Sequence, residues 1–401
     1  MDSSYKPETR HKNNKCVICE GELTLALDIG TMPSANNLVY KENLPDVKEY
    51  PLKYYICDNC CLFQLSEFVE DKELFNNYVY TTGSSKMLVE HFRQMSKELY
   101  NSLSSRQLAF VIGSNDYTEC KLLSEAGFKE VYGIEPTNIG KNIPYTINKF
   151  FNYSLSEELS VKIGKADLVT ANNVFAHIPD PKGFLKGMAN LTNTDGLISI
   201  EVHSLMSILK RLEIETLYAE HYYVWSVRSL HTLTSQLGLS IVDVIFMPEQ
   251  HGGSLRFLIK KKGTENLKLM ENEAEVIKLV STLQERTNTR RTKLITLIKE
   301  LKSNGKKIGI WSVPAKIPTL LNFCGLSNKE ISCAYEVAQT KIGKWIPKAN
   351  IEIKDEKRIL QDMPDFLIIG AWNYWRQAKE ALKEYLKQGG HIRNPLTLEV
   401  I

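Results

Sequence analysis

The sequence has little of what would mark a membrane protein or a nucleic-acid-binding protein. It contains no apolar run of the roughly 18 residues that a membrane-spanning helix needs. Its formal net charge is only +3, and the basic residues are evenly spread. Residues 1–15 are polar and lack the apolar segment of a secretory signal. We therefore expect a cytoplasmic protein whose partner is neither a membrane nor a nucleic acid.

The placement of the cysteines excludes a small secreted domain held together by disulfides. The 401 residues include eight cysteines, of which four fall in two Cys-x2-Cys pairs while the others are scattered. Internal repeats and low-complexity tracts are absent from the sequence as well. A chain of this length should form two or three domains, each with its own core.

The two cysteine pairs predict a metal site near the amino terminus. They are Cys16 with Cys19 and Cys57 with Cys60, separated by a long insert that reads as short strands and turns. Four thiolates in this arrangement suit the tetrahedral geometry of zinc and leave no open position for catalysis, so the zinc should be structural. Four reduced core thiols, or a redox pair, are the alternatives. Cys61 is expected to stand outside the site.

A βαβ unit of an open α/β sheet follows. Residues 108–112 are predicted to form a buried strand, Gly113 a turn, 119–126 a helix and 130–134 a second strand. Glu135 comes about 20 residues after the glycine, where such folds place an acid that binds ribose hydroxyls. The pattern favours nucleoside binding; an ordinary βαβ unit is the alternative.

Polar residues end the next predicted strand of the same sheet. Residues 166–173 read as a strand that finishes in Asn172 and Asn173, and His177 follows within one turn. Ligands in open α/β sheets bind outside the carboxyl ends of the strands, so these three side chains should face the ligand. A single histidine beside Ile178 and Pro179 is more often structural than catalytic.

Residues 216–225 concentrate a carboxylate, an imidazole and several phenols in ten positions, among them Tyr218, Glu220 and His221. Tyrosine and histidine can move protons at a carbonyl substrate, and an adjacent glutamate can orient an imidazole. The alternative interpretation is a solvated helix end with aromatic anchors, which would contain the same residue types. Further along, Arg256 suits an anionic group, although a surface salt bridge is a simpler explanation.

The remainder of the chain predicts a helical connection and a second α/β unit. Residues 267–304 have helical periodicity without glycine or proline, and read as one long helix or two. A strand is predicted at 307–311, and the turn 314–316 leads into a helix whose amino terminus, with Lys316, could hold an anion.

Taken together, these motifs resemble the sugar C-methyltransferases of deoxysugar pathways, almost from end to end. The pieces that carry the resemblance are Cys16, Cys19, Cys57 and Cys60, the segments 78–85, 112–116 and 133–136, Asn172, Asn173 and His177, Tyr218, Glu220 and His221, and the segments 251–256, 314–316, 320–322 and 371–374.

The resemblance implies an α/β protein in three parts. These are a small four-cysteine zinc module at 1–85, a Rossmann-like class I methyltransferase domain at 86–265, and a second α/β domain at 305–401. A helical linker at 266–304 joins the last two. It also implies S-adenosylmethionine (SAM) as cofactor, and a nucleotide-linked keto-deoxysugar, expected to carry dTDP, as substrate. The sequence pattern favours neither a monomer nor an oligomer.

Site residues follow from the same resemblance. Those implied to surround S-adenosylmethionine are Gly113, Asn115, Asp116, Glu135, Asn172 and Asn173. Those implied to form the sugar site are Tyr80 (or Tyr78), His177, Tyr218, Glu220 and His221. A base removes the proton next to the keto group, and the enolate carbon attacks the sulfonium methyl. We expect His221 to be the base, tuned by Glu220, with His177 and Tyr218 bonding the carbonyl oxygen. His177 is the second candidate for the base.

Two positions depart from the family pattern in the cofactor turn. Val111 stands where the family has glutamate, and Tyr117 stands where it has glycine. A bulky residue at the second position could keep the turn away from a cofactor. An epimerase or isomerase that uses the same base without a methyl donor is therefore the alternative function, and a non-catalytic sugar-nucleotide binder is a third.

Overall fold

The computed structural model describes residues 15–68 and 81–400. These residues form three β-sheets with helices packed around the second and third. Two tyrosines from the sequence analysis, Tyr78 and Tyr80, lie outside the described residues. None of the helices in the described ranges is long and apolar enough to cross a membrane.

The first sheet combines the amino-terminal region with a short strand from much later in the chain. Its strands are β1 (Leu23–Pro33), β2 (Glu49–Cys57), β3 (Phe63–Leu65) and β9 (Tyr223–Val224), in the order β1-β2-β3-β9 and all antiparallel. Because β9 comes from the segment that carries Tyr218 and His221, this sheet directly borders the candidate site.

The central sheet has seven strands in the order β10-β11-β8-β7-β4-β5-β6. Their bounds are β4 Leu108–Ile112, β5 Glu130–Ile134, β6 Thr146–Ile147, β7 Ala166–Asn172, β8 Thr192–His203, β10 Ser240–Met247 and β11 Ser254–Lys260. The five strands from β8 to β6 are parallel, and β11 runs antiparallel to both of its neighbours. Every residue of β4 and β7 is buried, as expected for central strands covered on both faces.

The direction in which the chain adds strands reverses between β4 and β7. From β4 the chain moves outward through β5 and β6, then returns to place β7 on the other side of β4. Such a switch point opens a crevice at the carboxyl ends of the two strands, where α/β folds bind their ligands. The predicted strands at 108–112, 130–134 and 166–173 are thus confirmed, the last ending one residue early.

Twelve α-helices are found in the described residues. They are α1 Lys86–Asn101, α2 Thr118–Ala126, α3 Tyr153–Lys162, α4 Pro181–Leu191, α5 Leu205–Arg211, α6 Val227–Gln236, α7 Glu273–Ser281, α8 Leu283–Ser303, α9 Lys316–Cys324, α10 Ile359–Asp362, α11 Trp375–Ala381 and α12 Lys383–Lys387. Of the two readings left open for 267–304, one helix or two, the structure has two, α7 and α8.

The third sheet is a second doubly wound unit, in the order β14-β15-β13-β12-β16-β17. Its strands are β12 Ile308–Trp311, β13 Cys333–Glu336, β14 Trp345–Ile346, β15 Ile351–Asp355, β16 Phe366–Ile369 and β17 His391–Arg393. All pairs are parallel except β14 with β15. Its switch point lies between β12 and β16, beside the turn that leads to Lys316.

Candidate functional site

The four cysteines of the two Cys-x2-Cys pairs converge at one end of the first sheet. Their sulfur atoms all lie within 4.8 Å of one another, with 3.6 Å between Cys16 and Cys60 and 3.4 Å between Cys19 and Cys57. Zinc–sulfur bonds of about 2.3 Å in a tetrahedron place sulfurs about 3.8 Å apart, so this set fits zinc. Gly21 fits closely beneath the cluster, since a β-carbon there would lie 2.9 Å from the Cys57 sulfur. Four thiolates close the site, and the zinc is structural.

The turn after β4 is shaped by Gly113. This residue has φ +70°, and a side chain there would overlap Val174 in the loop after β7. Next in the turn, the Asn115 side-chain oxygen accepts a hydrogen bond from the Thr82 amide at 2.9 Å. The Asp116 carboxylate accepts one from the Gly83 amide at 2.8 Å. Two expected cofactor residues thus also fix the segment that precedes α1.

Glu135 occupies the end of β5, at the same edge. Its carboxylate is buried and accepts hydrogen bonds from the amides of Asn115 at 2.8 Å and Thr137 at 2.9 Å. A carboxylate offers about four lone-pair positions, so two bonds leave acceptor capacity for ribose hydroxyls. The side chain is therefore held rigidly in a position suited to its expected role.

Three buried oxygens at the switch point have no hydrogen-bond partner in the part of the chain that the structure describes. They belong to the side chains of Ser114, Asn172 and Asn173. Buried polar atoms left unpaired are costly, and their grouping at the carboxyl ends of β4 and β7 indicates a polar ligand there. With Glu135 beside them, these residues fit the adenosine and amino-acid parts of S-adenosylmethionine.

Tyr117 does not fill the turn as its size suggested. The residue has φ +68°, and its hydroxyl donates to the carbonyl of Val131 at 2.7 Å. Val131 lies three residues before the end of β5, so the phenol runs back along the sheet, away from the carboxyl edge. Burial raises the pKa of this hydroxyl, which stays protonated.

The surroundings of Val111 show which residue supplies a carboxylate in place of the family's glutamate at this position. It is fully buried beside Thr170, with which it pairs in the sheet. The Glu119 carboxylate reaches the same place from α2, accepting from the Thr170 hydroxyl at 2.6 Å and the Asn172 amide at 2.9 Å. Burial raises the pKa of Glu119. A carboxylate is therefore present beside Asn172 although position 111 does not supply it.

His177 and His221 form a pair next to this edge, with ring centroids 4.9 Å apart. The His221 Nδ1 lies 2.6 Å from the Thr216 carbonyl, and the His177 Nδ1 lies 2.5 Å from the Glu220 carbonyl. A carbonyl can only accept, so each Nδ1 carries the proton, and the Nε2 of His221 is its basic nitrogen. Burial is the main cause that lowers the pKa of both imidazoles, and both are neutral.

Tyr218 stacks on the base candidate. Its ring centroid lies 3.9 Å from that of His221, with 30° between the planes. The structure thus brings His177 together with Tyr218 and His221, which belong to a different segment of the chain.

Glu220 makes different contacts from those expected. Its carboxylate accepts from the Ser34 hydroxyl at 2.6 Å, from the Asn36 amide at 3.0 Å and from the Asn36 side chain at 3.2 Å. It is 2% exposed. Because the His221 ring is oriented by Thr216 instead, the expected tuning of His221 by the Glu220 carboxylate is not what the contacts support.

The guanidinium of Arg256 also forms its contacts with groups inside the protein. Its guanidinium lies 3.3 Å from Glu201 and 2.9 Å from Glu98, and His91 contacts the same Glu201 carboxylate at 2.9 Å. Arg256 and Glu201 are buried. Arg256 therefore forms salt bridges, as one of the two interpretations held, but its guanidinium is buried and its charge is already matched by carboxylates of the protein.

Two further histidines extend the pair, and the sequence analysis did not propose them for the site. His203, at the end of β8, lies 5.1 Å from His221, and His251, in the turn before β11, lies 5.1 Å from His203, measured between ring centroids. Burial lowers the pKa of both, that of His251 to about 4. Their positions in the sequence could have indicated them. His203 is the last residue of β8 and His251 lies just before β11, both at the carboxyl edge of the sheet.

Lys316 joins the third sheet's switch point to this row. Its ammonium group donates to the His251 carbonyl at 3.0 Å and lies 4.5 Å from the Trp372 ring centre. Burial lowers the pKa of Lys316, while burial raises the pKa of nearby Glu213 to about 8. The second α/β unit thus closes one side of the site.

Comparison with known proteins gives matches to the amino-terminal, central and carboxyl-terminal regions of the chain. Three family models match the chain: a zinc binding domain at residues 16–75, a methyltransferase domain at 112–244, and a C-methyltransferase C-terminal domain at 249–396. The C-methyltransferase NovU of Streptomyces niveus is 28% identical over 402 residues, which cover 96% of this chain and 95% of that protein.

Solved structures resemble parts of the chain more distantly. A SAM-dependent methyltransferase from Anabaena variabilis has a TM-score of 0.36 and 12% identity, over 45% of this chain and 86% of that one. The PH0226 protein from Pyrococcus horikoshii has a TM-score of 0.37 and 15% identity, over 49% of this chain and all (100%) of that one.

The central sheet, its polar switch point and the four-cysteine cluster define a SAM-dependent methyltransferase with a structural zinc module. The three matching family models stand in the expected order, and one relative aligns along nearly the whole length. These matches support a C-methyltransferase family for this chain.

Proposed function

We propose that this enzyme methylates a carbon atom of a nucleotide-linked keto-deoxysugar, expected to carry dTDP. The observation that carries the proposal is the state of His221. Its Nδ1 is bound to the Thr216 carbonyl, which leaves Nε2 as a neutral base next to His177 and Tyr218. This is the arrangement that removal of a proton beside a keto group requires.

The reaction needs a base and a pair of groups that stabilise an enolate. His221 Nε2 takes the proton from the carbon next to the sugar carbonyl. Tyr218 donates a hydrogen bond to the carbonyl oxygen as negative charge develops on it, and His177 joins it as a donor once it is protonated, since the Glu220 carbonyl holds the Nδ1 proton of the neutral ring. Tyr80 is proposed to join them. When bound, S-adenosylmethionine supplies an electrophilic methyl group.

The chain's own residues have two tasks toward that cofactor. Gly113, Asn115 and Asp116 form its turn, and Glu135 holds the ribose hydroxyls. Asn172 and Asn173 offer its polar groups side-chain oxygens that have no partner within residues 15–68 and 81–400. Fixing the methyl donor against the enolate carbon supplies much of the acceleration by proximity.

Glu220 is proposed as a positioning residue. Its carboxylate holds the 34–36 loop of the zinc module, while its carbonyl orients His177. Since Arg256 is committed to Glu201, the turn that ends at Lys316 is the proposed contact for the nucleotide diphosphate.

The proposal is tested in two steps. Calorimetric titration with S-adenosylmethionine and S-adenosylhomocysteine should show binding in the micromolar range. Labelled S-adenosylmethionine should then transfer its methyl group to a dTDP-linked 4-keto-6-deoxyhexose, with the new carbon located by mass spectrometry and NMR.

Other outcomes would select between the alternatives. Absence of cofactor binding in folded, zinc-loaded protein would sink the methyltransferase proposal for this substrate. Deuterium wash-in from solvent at the keto-sugar, without cofactor binding, would favour the epimerase or isomerase. Sugar-nucleotide binding without wash-in would favour the non-catalytic binder.

A further inference from the structure

The row of four imidazoles is longer than the proposed reaction needs. His177, His221, His203 and His251 come from four separate segments, and neighbouring ring centroids lie 4.9, 5.1 and 5.1 Å apart. Two imidazoles joined by a nitrogen–nitrogen hydrogen bond of about 3 Å have centroids about 5 Å apart. Small ring rotations would therefore connect each member of the row to the next.

The far half of the row has unused nitrogens. The Nε2 atoms of His203 and His251 are buried and have no hydrogen-bond partner among the described residues. Leaving two such atoms unpaired side by side weakens the fold, since a buried polar atom normally has a partner. Because His203 lies next to His221 and His251 lies next to His203, these nitrogens have a chemical use as successive proton acceptors.

The turn that carries the last histidine of the row packs against a carboxylate that can hold a proton. Glu213 packs against Gly252, the residue after His251, so closely that a side chain at 252 would collide with its carboxylate. One Glu213 oxygen is buried without a hydrogen-bond partner among the described residues, and burial raises the pKa of this group to about 8. Arg211 lies 3.7 Å from Glu213, and the Arg211 side chain is 45% exposed. Glu213 therefore lies between the turn that carries His251 and the half-exposed side chain of Arg211.

Proton balance in the proposed reaction requires such a route. The carbon–hydrogen bond of the sugar breaks, and its proton goes to His221 while its electron pair becomes the enolate. That pair then forms the new carbon–carbon bond, and the carbon–sulfur pair stays on sulfur. One proton is thus left on His221 in every turnover, and it must leave before the base can act again.

We propose that His203 and His251 carry the substrate-derived proton from His221 to Glu213, from where it passes to solvent beside Arg211. This rests on the function proposed above. The charged or titratable groups that act on the His251 ring are Lys316, Glu201 and His91, and Glu213 faces the same turn across Gly252. The Lys316 charge opposes a long stay of the proton on His251, which favours onward transfer to the carboxylate.

The test compares a single turnover with steady-state turnover. His203→Gln keeps a polar side chain but cannot carry a proton at neutral pH. His231→Gln is the matched control, since His231 is a partly exposed residue of α6 that contacts Glu265 away from the row. Zinc-loaded enzyme is mixed with labelled S-adenosylmethionine and a dTDP-linked 4-keto-6-deoxyhexose, and stopped by rapid quench.

In His203→Gln the first turnover should stay within about twofold of the unmodified enzyme, because His221 still accepts the proton. Steady-state turnover should fall by about tenfold or more, giving a burst, and added imidazole should restore it. Without methyl donor, deuterium wash-in should fall too, because the same proton returns to the enolate. The control should change none of these.

Other results would overturn the relay. Equal losses in the first and later turnovers, without rescue by imidazole, would show that His203 only supports the site. A change confined to KM would show that it binds substrate. If the unmodified enzyme transfers no methyl group but washes in deuterium, the methyltransferase proposal fails while the relay is still judged by wash-in. If it does neither, both fail.

Discussion

The Glu220 carboxylate lies 2.6 Å from the Ser34 hydroxyl, although 186 positions separate the two residues in the chain. This hydrogen bond joins the zinc module to the loop that carries Tyr218 and His221. Because the Glu220 carbonyl also holds His177, one residue transmits the position of the module to both imidazoles.

The substitution Ser34→Ala should therefore lower activity, although Ser34 is not among the residues proposed to bind substrate. Loss of a hydrogen bond to a buried carboxylate costs about 1.5–3 kcal/mol. We expect kcat for methyl transfer to fall by about tenfold, with KM changed less, because the base is displaced. Ser160→Ala, on the exposed part of α3, is the control. Unchanged kcat together with unchanged urea stability would contradict the role of this contact.

Tyr54→Phe should act on the same loop from β2. The Tyr54 hydroxyl donates to the carbonyls of His221 at 2.9 Å and Tyr218 at 3.1 Å. Its removal should cost about 1 kcal/mol or slightly more, and should lower kcat. Tyr55→Phe is the matched control, because neighbouring side chains on a strand point to opposite faces. Equal effects of the two changes on kcat would argue against a specific role of Tyr54.

Removal of zinc should abolish activity even though the metal lies outside the site. The four sulfurs fix the turns at one end of the β1-β2-β3 sheet, and that sheet holds the catalytic loop through β9. We expect one zinc per chain, and a parallel loss of zinc and of methyl transfer on treatment with a thiol-reactive mercurial and chelator. Full activity in protein shown to be free of zinc would refute this dependence.

The histidine row should make the fold sensitive to acid. His177, His203, His221 and His251 have lowered pKa values when folded, that of His251 about 4, whereas an unfolded imidazole titrates near 6.5. The unfolded chain thus binds more protons in this window, so the free energy of unfolding is highest above about pH 6.5 and falls as the pH drops toward 4. Urea midpoints across this range check it, with zinc content measured in parallel. His251→Asn should flatten the slope, and an unchanged slope would count against the row as its cause.

Glu119→Leu should weaken cofactor binding. It leaves the Thr170 hydroxyl and the Asn172 amide without their carboxylate, at a cost of about 1–3 kcal/mol for each unpaired group. Because Val111 lies beside Thr170, adding Val111→Glu should restore part of the affinity for S-adenosylmethionine, as calorimetry can show. Failure of the double variant to bind better than Glu119→Leu would rule out this exchange of carboxylates.

The sequence was sufficient to predict the features that depend on short stretches. The strand, glycine turn, helix and second strand around Gly113 were all predicted, because hydrophobic periodicity and turn residues act locally. The two Cys-x2-Cys pairs were equally informative, since spacing alone suits a thiolate cluster. The edge of the sheet carrying Glu135 and Asn172 followed from the rule that places ligands at carboxyl ends.

What could not be predicted depends on contacts between distant segments. Nothing near Glu220 in the sequence indicates that Ser34 and Asn36 take up its carboxylate. Arg256 looked available because Glu98 and Glu201 are remote in the chain. His203 and His251 could be assigned to the site only from the strand order, which places them in a row that extends from His221.

The four-stranded first sheet also bears on how the chain is made. Its β3 edge emerges from the ribosome long before β9 has been synthesised, and an unpaired strand edge invites mispairing with other chains. Strand β3 of the zinc module can pair with β9 of the catalytic loop only after most of the central sheet has been synthesised. A recombinant fragment that ends before β9, or one that begins after β3, should therefore express poorly, and a swap of zinc modules between related enzymes should succeed only if the β9 loop is exchanged with them.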